Sequence, residues 1–312
     1  SDLVFIVLNK NNQCILKNYD INAEILSLSL IDKVMMLVRR GLIYIPSSAK
    51  WLYSFVGKGK VERFLDKFGV DLVYFTSPSL LPLYMPNYNF IYTLWDMSHR
   101  DDFEFPEVRR NNVFERRELL YKLILIKAVA ILVDSNVSAS NLYARYGVDS
   151  NRILVMPFSP AKNSSISCMK YNERYIDVKK KYNISFDYIF YPAQFWSHKN
   201  HIYILKALKV LNDQNGINIG AIFSGSDQGN MKYVKDLVVE YGMSDFVRFT
   251  GFVPNEEMTY LYKQSIALIM PTYFGPTNLP PLEAFQLDVP VIYGYINGAK
   301  EQLGDAVLMV DL

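Results

Sequence analysis

The sequence predicts an α/β protein built on two doubly wound parallel sheets. Short apolar runs of strand length alternate with stretches of helical apolar spacing along the whole chain. Polar and Gly-bearing segments fall just past the ends of those runs, where parallel sheets gather their ligand loops. A linker-like segment at 157–167 separates two halves, taken here as domains 1–165 and 166–312.

The 312 residues are enough for two such domains, and half of them are hydrophobic. With 33 Lys+Arg against 31 Asp+Glu, the net charge of +2 excludes a broad nucleic-acid-binding field. Cys14 and Cys168 stand apart in no metal-ligand spacing, which suits a reducing compartment. No signal-peptide pattern precedes the first strand, so the sequons at Asn136, Asn163 and Asn183 carry no weight. The apolar run 119–133 holds Lys122 and Lys127 and falls short of a membrane span. The 23 Tyr and 19 Phe suit sugar-facing or stacking surfaces, or simply burial.

In the first half, residues 3–8 read as a strand, 9–12 as a turn and 24–30 as a second strand. Ser47 can cap a helix over 48–68 with Trp51, Phe55, Val61, Phe64 and Leu65 on its apolar side. Gly57 and Gly59 weaken its middle by ~1 kcal/mol each relative to Ala, and Gly69 ends it. Residues 70–76 read as a buried strand and 90–94 as another. The latter runs into 95–102, which holds Asp96 and His99 and is either a ligand loop or a solvated acidic turn. A helix is expected over 105–127, a strand over 129–134, a helix capped by Ser135 or Asn136 and closed by Gly147, and a strand over 153–156.

The second half begins with a short helix at 171–181 and a strand at 188–191. The helix carrying Ile202, Leu205, Leu208 and Leu211 places Lys199 at its N-terminus. A lysine there opposes the helix dipole unless an anion sits between them, so Lys199 is either a phosphate ligand or an exposed loop lysine. His198 and His201 flank it, but a metal pair would lack a third ligand. The strand 219–224 ends in Ser224-Gly225-Ser226-Asp227, a weak nucleotide-side signal. A helix over 230–241, a strand over 247–249 and a helix over 256–264 capped by Asn255 follow. The strand 266–270 then enters a loop with Gly275, Pro276, Asn278 and Pro280-Pro281 before a helix with Glu283 in its first turn. Strand, Gly-bearing loop and helix N-terminus make a ready anion site. Glu283 is then expected to accept hydrogen bonds from hydroxyls beside the phosphates, such as those of a ribose; the alternative is a carboxylate favoured by the dipole. Strands over 289–293 and 306–310 close the chain. Neither a Gly-x-Gly-x-x-Gly fingerprint nor a Walker loop is present.

Set side by side, residues 191–200, 247–257, 271–291 and 299–311 resemble, in order, four segments of the family-4 (group 1) retaining glycosyltransferases. Residues 131–157 and 95–106 resemble that family's N-domain in its polysaccharide-assembling members. The resemblance implies a GT-B fold, two Rossmann-like domains facing a cleft. It also implies transfer of a hexosyl group, mannosyl or a related sugar, from a nucleotide diphospho-sugar to a glycan or lipid-linked glycan in lipopolysaccharide or O-antigen-like synthesis. By position, Lys199 would hold the donor diphosphate and Glu283 the ribose, with Gly275, Thr277, Asn278 and Leu279 against the sugar and phosphates. Gln194 and Gly225 would line the donor side, and Asp96 and His99 would position acceptor or sugar.

Three departures stand out. Gln194 lies near the place of a frequent Arg, Gly275 replaces a frequent Glu, and Trp95 holds the place of a His. Neither a cofactor nor a metal is implied, and the setting is cytoplasmic, with peripheral contact to the inner face of the membrane as a further expectation. The family's first strand and last helices have no counterpart, so the chain reads as a fragment. Two other readings remain: a nucleotide-sugar epimerase on the same fold, and a non-catalytic sugar-nucleotide-binding subunit.

Overall fold

The computed structural model describes residues 3–18, 20–42, 58–159, 176–275 and 277–312. Two compact units emerge: Ser1–Trp95 with Glu118–Leu132 and Asn151–Ile153, and Asp96–Arg117 with Val133–Ser150 and Leu154–Leu312.

In the first unit, β1 (Phe5–Val7) pairs in parallel with β2 (Ala23–Ile25). Between them lies α1 (Lys10–Lys17), where a turn was expected. Asn9 explains the difference: its side chain accepts the Asn12 N–H at 2.8 Å and caps a helix. A further helix that the sequence reading lacked, α2 (Leu30–Leu42), follows. Residues 48–57 of the expected long helix, with the cap expected at Ser47, lie outside the described residues. What is described, α3 (Lys60–Lys67), begins only after Gly59, whose N–H donates to Glu62 at 2.9 Å. Gly59 is therefore a cap and not a weak middle.

Strands β3 (Leu72–Phe75), β4 (Asn89–Thr93), β5 (Ala130–Val133) and β6 (Ile153–Val155) form a sheet in that order. As its edge, β3 leaves Leu72 and Tyr74 exposed, so the expected buried strand is covered on one face only. The segment after β4 groups with the second unit as far as Arg117, as does the segment Val133–Ser150 at the end of β5. The first holds α4 (Ser98–Asp101), then two 3-10 turns, then α5 (Val113–Ile124), in place of one continuous helix. Asn111 and Asn112 take left-handed φ values of 55° and 56°, which breaks the helical path there. The second is α6 (Asn136–Tyr146), capped by Ser135 Oγ on the Ser138 N–H at 3.1 Å and closed by Gly147.

The rest of the second unit is a six-stranded sheet of β7 (Asp187–Pro192), β8 (Ile219–Ser224), β9 (Val247–Gly251), β10 (Leu268–Met270), β11 (Val291–Gly294) and β12 (Leu308–Val310). Its order is β12-β11-β10-β7-β8-β9, every pairing parallel. The helices are α7 (Val178–Lys181), α8 (His201–Asn215), α9 (Met231–Glu240), α10 (Asn255–Lys263), α11 (Leu279–Gln286) and α12 (Ala299–Leu303). Asn255 is the first residue of α10 rather than its cap, because Pro254 supplies the extended entry. The core joins Tyr188, Phe190 and Tyr191 of β7 to Ile204, Leu205 and Leu208 of α8 and Val234 and Val238 of α9. Each such side chain contributes roughly 1.5–3 kcal/mol by leaving water. Tyr188 keeps its phenol satisfied by donating to Leu261 O at 3.0 Å.

The strand order positions the site. From β7 the chain moves outward through β8 and β9, then returns to the other side of β7 for β10, β11 and β12. The loops after β7 and β10 therefore diverge in opposite directions, opening a crevice at the C-terminal edge of the sheet.

Candidate functional site

Two loops build this crevice. The loop after β7 passes through a 3-10 turn, Ser197–Lys199, and enters α8 through Asn200 at φ 53°. Lys199 thus precedes α8 by two residues instead of sitting on its first turn. Tyr191 OH donates to Lys199 O at 2.9 Å, and Tyr273 N–H to His198 O at 2.9 Å, which ties the loop to its own strand and to the loop after β10. Lys199 Nζ donates to Asn278 Oδ1 at 3.3 Å, and no carboxylate among the described residues pairs with it. Burial pushes its pKa down to about 8, which leaves the ammonium mostly protonated at neutral pH.

The loop after β10 is held from several sides. Asn278 donates through Nδ2 to Gly275 O at 3.0 Å and to Tyr293 OH at 2.6 Å. Its backbone exchanges two hydrogen bonds with the Gln302 side chain, at 2.9 and 3.0 Å. Gly275 has φ +101°, and a Cβ there would lie 3.3 Å from Asn278 Nδ2, so the turn needs glycine. Thr277 Oγ1 donates to Asp134 Oδ2. Pro276 lies outside the described residues.

Helix α11 starts at Leu279, not near Glu283, so Glu283 stands in its second turn. Helix-dipole effects fade within the first turn, which weakens the dipole account of this carboxylate. Its Oε2 instead accepts from Tyr262 OH at 2.9 Å. The helix N-terminus is also a poorer anion cradle than expected. Pro280 and Pro281 have no N–H, and that of Asn278 is taken by Gln302, leaving Leu279 to offer one.

The loop after β8 packs directly on the loop after β7. A Cβ on Gly225 would come within 2.4 Å of Ala193 O, so only glycine fits. Gln194 donates to Ser226 Oγ at 3.2 Å and accepts from Trp196 Nε1 at 2.9 Å. Asp227 Oδ1 accepts the N–H groups of Gly229 and Met231, at 2.7 and 3.2 Å.

Asp96 and His99 are engaged elsewhere. Asp96 Oδ1 accepts from Arg117 Nη2 at 2.6 Å and from Ser98 N–H at 3.0 Å. Burial alone would raise its pKa, but Arg117 and these hydrogen bonds outweigh that and hold it low. His99 is fully buried, with Nε2 3.1 Å from Tyr146 OH. Nearby Asp102 is pushed up to about 7 by burial and by the carboxylates of Asp101, Glu104 and Asp96.

The structure therefore joins Lys199 to Asn278, brings Gly275 and Thr277 onto the same loop, and sets Gln194 and Gly225 on the adjoining one. Several contributors were missed. Glu107 Oε1 meets His198 at 2.5 Å from Nδ1 and 2.9 Å from the backbone N. Burial lowers the His198 pKa against the pull of Glu107, so a neutral ring donates to a carboxylate. Tyr262, Tyr293, Gln302 and Glu107 meet their partners across wide sequence gaps, for which sequence spacing offers no signal. Asp134 did have one: it stands at the C-terminal end of a parallel strand.

Comparison with known proteins follows the same lines. Residues 176–311 match the family model for glycosyl transferases group 1. O-antigen chain mannosyltransferase B of Escherichia coli is 26% identical over 197 residues, covering 60% of this chain and 49% of that protein. O-antigen chain mannosyltransferase RfbU of Salmonella typhimurium is 27% identical over 249 residues, covering 80% of this chain and 63% of that protein. The chain thus spans about half to just under two thirds of the length of these curated relatives. A glycosyltransferase crystal structure from Rickettsia africae superposes with a TM-score of 0.68 at 17% identity, over 99% of this chain and 75% of that one. Anabaena Alr3699/HepE in complex with UDP-glucose gives 0.64 at 14% identity, over 97% and 76%. At such identities the two structures speak for the fold alone. Residues 176–311 carry the match to the glycosyl transferases group 1, and the chain takes the two-domain Rossmann-like GT-B fold.

Proposed function

We propose that the whole protein is a retaining glycosyltransferase of cell-surface polysaccharide synthesis of the O-antigen kind. It moves a hexosyl group, mannosyl in the first instance, from a nucleotide diphospho-sugar to a glycan or lipid-linked glycan. The observation that carries this reading is Lys199: a partly buried cation without a carboxylate partner, at the switch point of a parallel sheet. Such a group is set up for an anion, and the family match makes a donor diphosphate the anion of choice. The O-antigen mannosyltransferase relatives support the sugar class.

In this reading the anomeric C–O bond to the diphosphate breaks as the acceptor oxygen bonds to the same face of the sugar. The acceptor proton passes to a phosphate oxygen of the leaving group. Lys199 stabilises the charge that grows on the diphosphate, assisted by the Leu279 N–H. Glu283, with one oxygen fixed by Tyr262, offers the other to ribose hydroxyls. Gln194, Gly225, Gly275, Thr277 and Asn278 shape the donor side. Asp96 and His99 act by holding the acceptor-side loop, not by touching the reacting atoms. No metal takes part, so chelation leaves the rate unchanged; loss of activity with EDTA would assign the charge to an ion instead.

Among the described residues no helix is long and apolar enough to cross a membrane. Peripheral contact is supported by α2, which exposes Leu30, Ile31, Val34, Met35, Leu37 and Val38. The setting proposed is the cytoplasmic face of the membrane.

The test uses the full-length protein with a panel of nucleotide sugars and lipid-linked or free glycan acceptors. Transfer with release of nucleoside diphosphate supports the proposal. An epimerised sugar without acceptor would replace it with an epimerase, and donor binding without turnover in any mixture with a binding subunit.

A further inference from the structure

Asp134 is a buried carboxylate, 4% exposed, at the C-terminal end of β5. Its Oδ2 accepts the Thr277 hydroxyl and its Oδ1 accepts the Ser135 hydroxyl at 3.1 Å. Ser135 in turn caps α6, so the carboxylate is anchored on a helix terminus. Thr277 adjoins Asn278, the partner of Lys199, and the loop 271–278 has no acidic side chain of its own.

A threonine hydroxyl has one proton to donate and two lone pairs. Asp134 takes the proton, and no other group among the described residues donates to Thr277 Oγ1. Thr277 can then only accept from a ligand, so the ligand must present a donor, which on a hexosyl group is a hydroxyl.

We propose that Asp134 is a specificity-determining positioning residue: it fixes Thr277 as a hydrogen-bond acceptor that reads one hydroxyl of the donor sugar. This rests on the donor-site reading above. Sites that bond a substrate hydroxyl reject the analogue lacking it far better than apolar pockets reject an added group. Replacing the carboxylate with an amide leaves one acceptor oxygen for the Ser135 and Thr277 hydroxyls; with the oxygen kept on Ser135, the amide NH2 faces Thr277 Oγ1, and the sugar hydroxyl is no longer read.

The test measures dissociation constants of UDP, GDP, UDP-glucose, GDP-mannose and the monodeoxy forms of both sugars, using the full-length protein. The variants are Asp134→Asn, Thr277→Val and Thr277→Ser. In the wild type, one deoxy form of the preferred donor is expected to bind at least about tenfold more weakly than its parent. In Asp134→Asn and Thr277→Val that ratio falls to within about twofold, any loss of affinity for the bare nucleoside diphosphate is smaller than that for the parent donor, and Thr277→Ser keeps the wild-type ratio. An unchanged ratio in Thr277→Val, or an equal loss for every ligand including UDP and GDP, overturns the proposal, and should Asp134→Asn not fold, the threonine pair still decides. Failure of the wild type to bind any nucleoside diphosphate would instead refute the donor-site reading, which separates the two failures.

Discussion

Replacing Lys199 with Met keeps most of the aliphatic stem and removes the charge. The structure then calls for a large effect on binding and a small one on stability. An ammonium about 4 Å from one phosphate charge, at an effective dielectric constant of about 20, is worth roughly 4 kcal/mol. A charge-assisted hydrogen bond contributes about 1.5–3 kcal/mol net. Burial has already lowered the Lys199 pKa to about 8, so much of the desolvation cost is met before a donor arrives. A loss of about 2–3 kcal/mol follows, or roughly 30- to 150-fold in Kd for UDP or GDP. Stability moves little, because the variant sheds a cation that burial disfavours and forfeits only the 3.3 Å bond to Asn278. Isothermal titration with UDP and GDP, paired with thermal melts of the same samples, reads both quantities. Affinity within twofold of wild type would refute the diphosphate assignment. Lost affinity accompanied by a drop of several degrees in Tm would make Lys199 structural.

Three further outcomes follow from the same geometry. Nucleoside diphosphate affinity, followed by titration between pH 7 and 10, should hold until about pH 8 and then weaken by up to about tenfold per unit. The sign follows because binding favours protonated Lys199, whose proton must be taken up above its pKa; a flat profile contradicts it. Glu283→Ala should cost ~1–3 kcal/mol in affinity for a nucleoside diphosphate and much less for inorganic pyrophosphate, since only the former brings a ribose; an equal loss for both removes the ribose assignment. Gly225→Ala places a methyl against the Ala193 backbone and should lower stability by roughly 1–3 kcal/mol in chemical denaturation; a wild-type midpoint would mean that the two loops can move apart.

The apolar runs of the second half are most legible where a strand is central and covered: β8 is buried at five of its six residues, and 219–224 matches it residue for residue. The errors fall where local chemistry overrides periodicity. Asn9 turned an expected turn into a helix by capping it, and two left-handed asparagines split the expected helix over 105–127. In α11 the two prolines occupy the first turn as expected, yet the helix begins at Leu279, a full turn before Glu283. The candidate site was legible where a side chain sits just past a strand, as with Lys199, Gly225 and Asn278. It was illegible where a partner comes from far along the chain. Tyr262 on Glu283, Gln302 on Asn278 and Glu107 on His198 depend on the strand order of the folded sheet and on loops that no period announces.

The donor assignment is tested most directly by a crystal structure of the full-length protein with a nucleoside diphosphate sugar bound. The diphosphate should lie within hydrogen-bond reach of Lys199 Nζ, with the ribose hydroxyls on the free oxygen of Glu283 and the sugar against 275–278. A nucleotide seated away from the loops after β7 and β10, or a diphosphate that leaves Lys199 on Asn278 alone, would contradict the account.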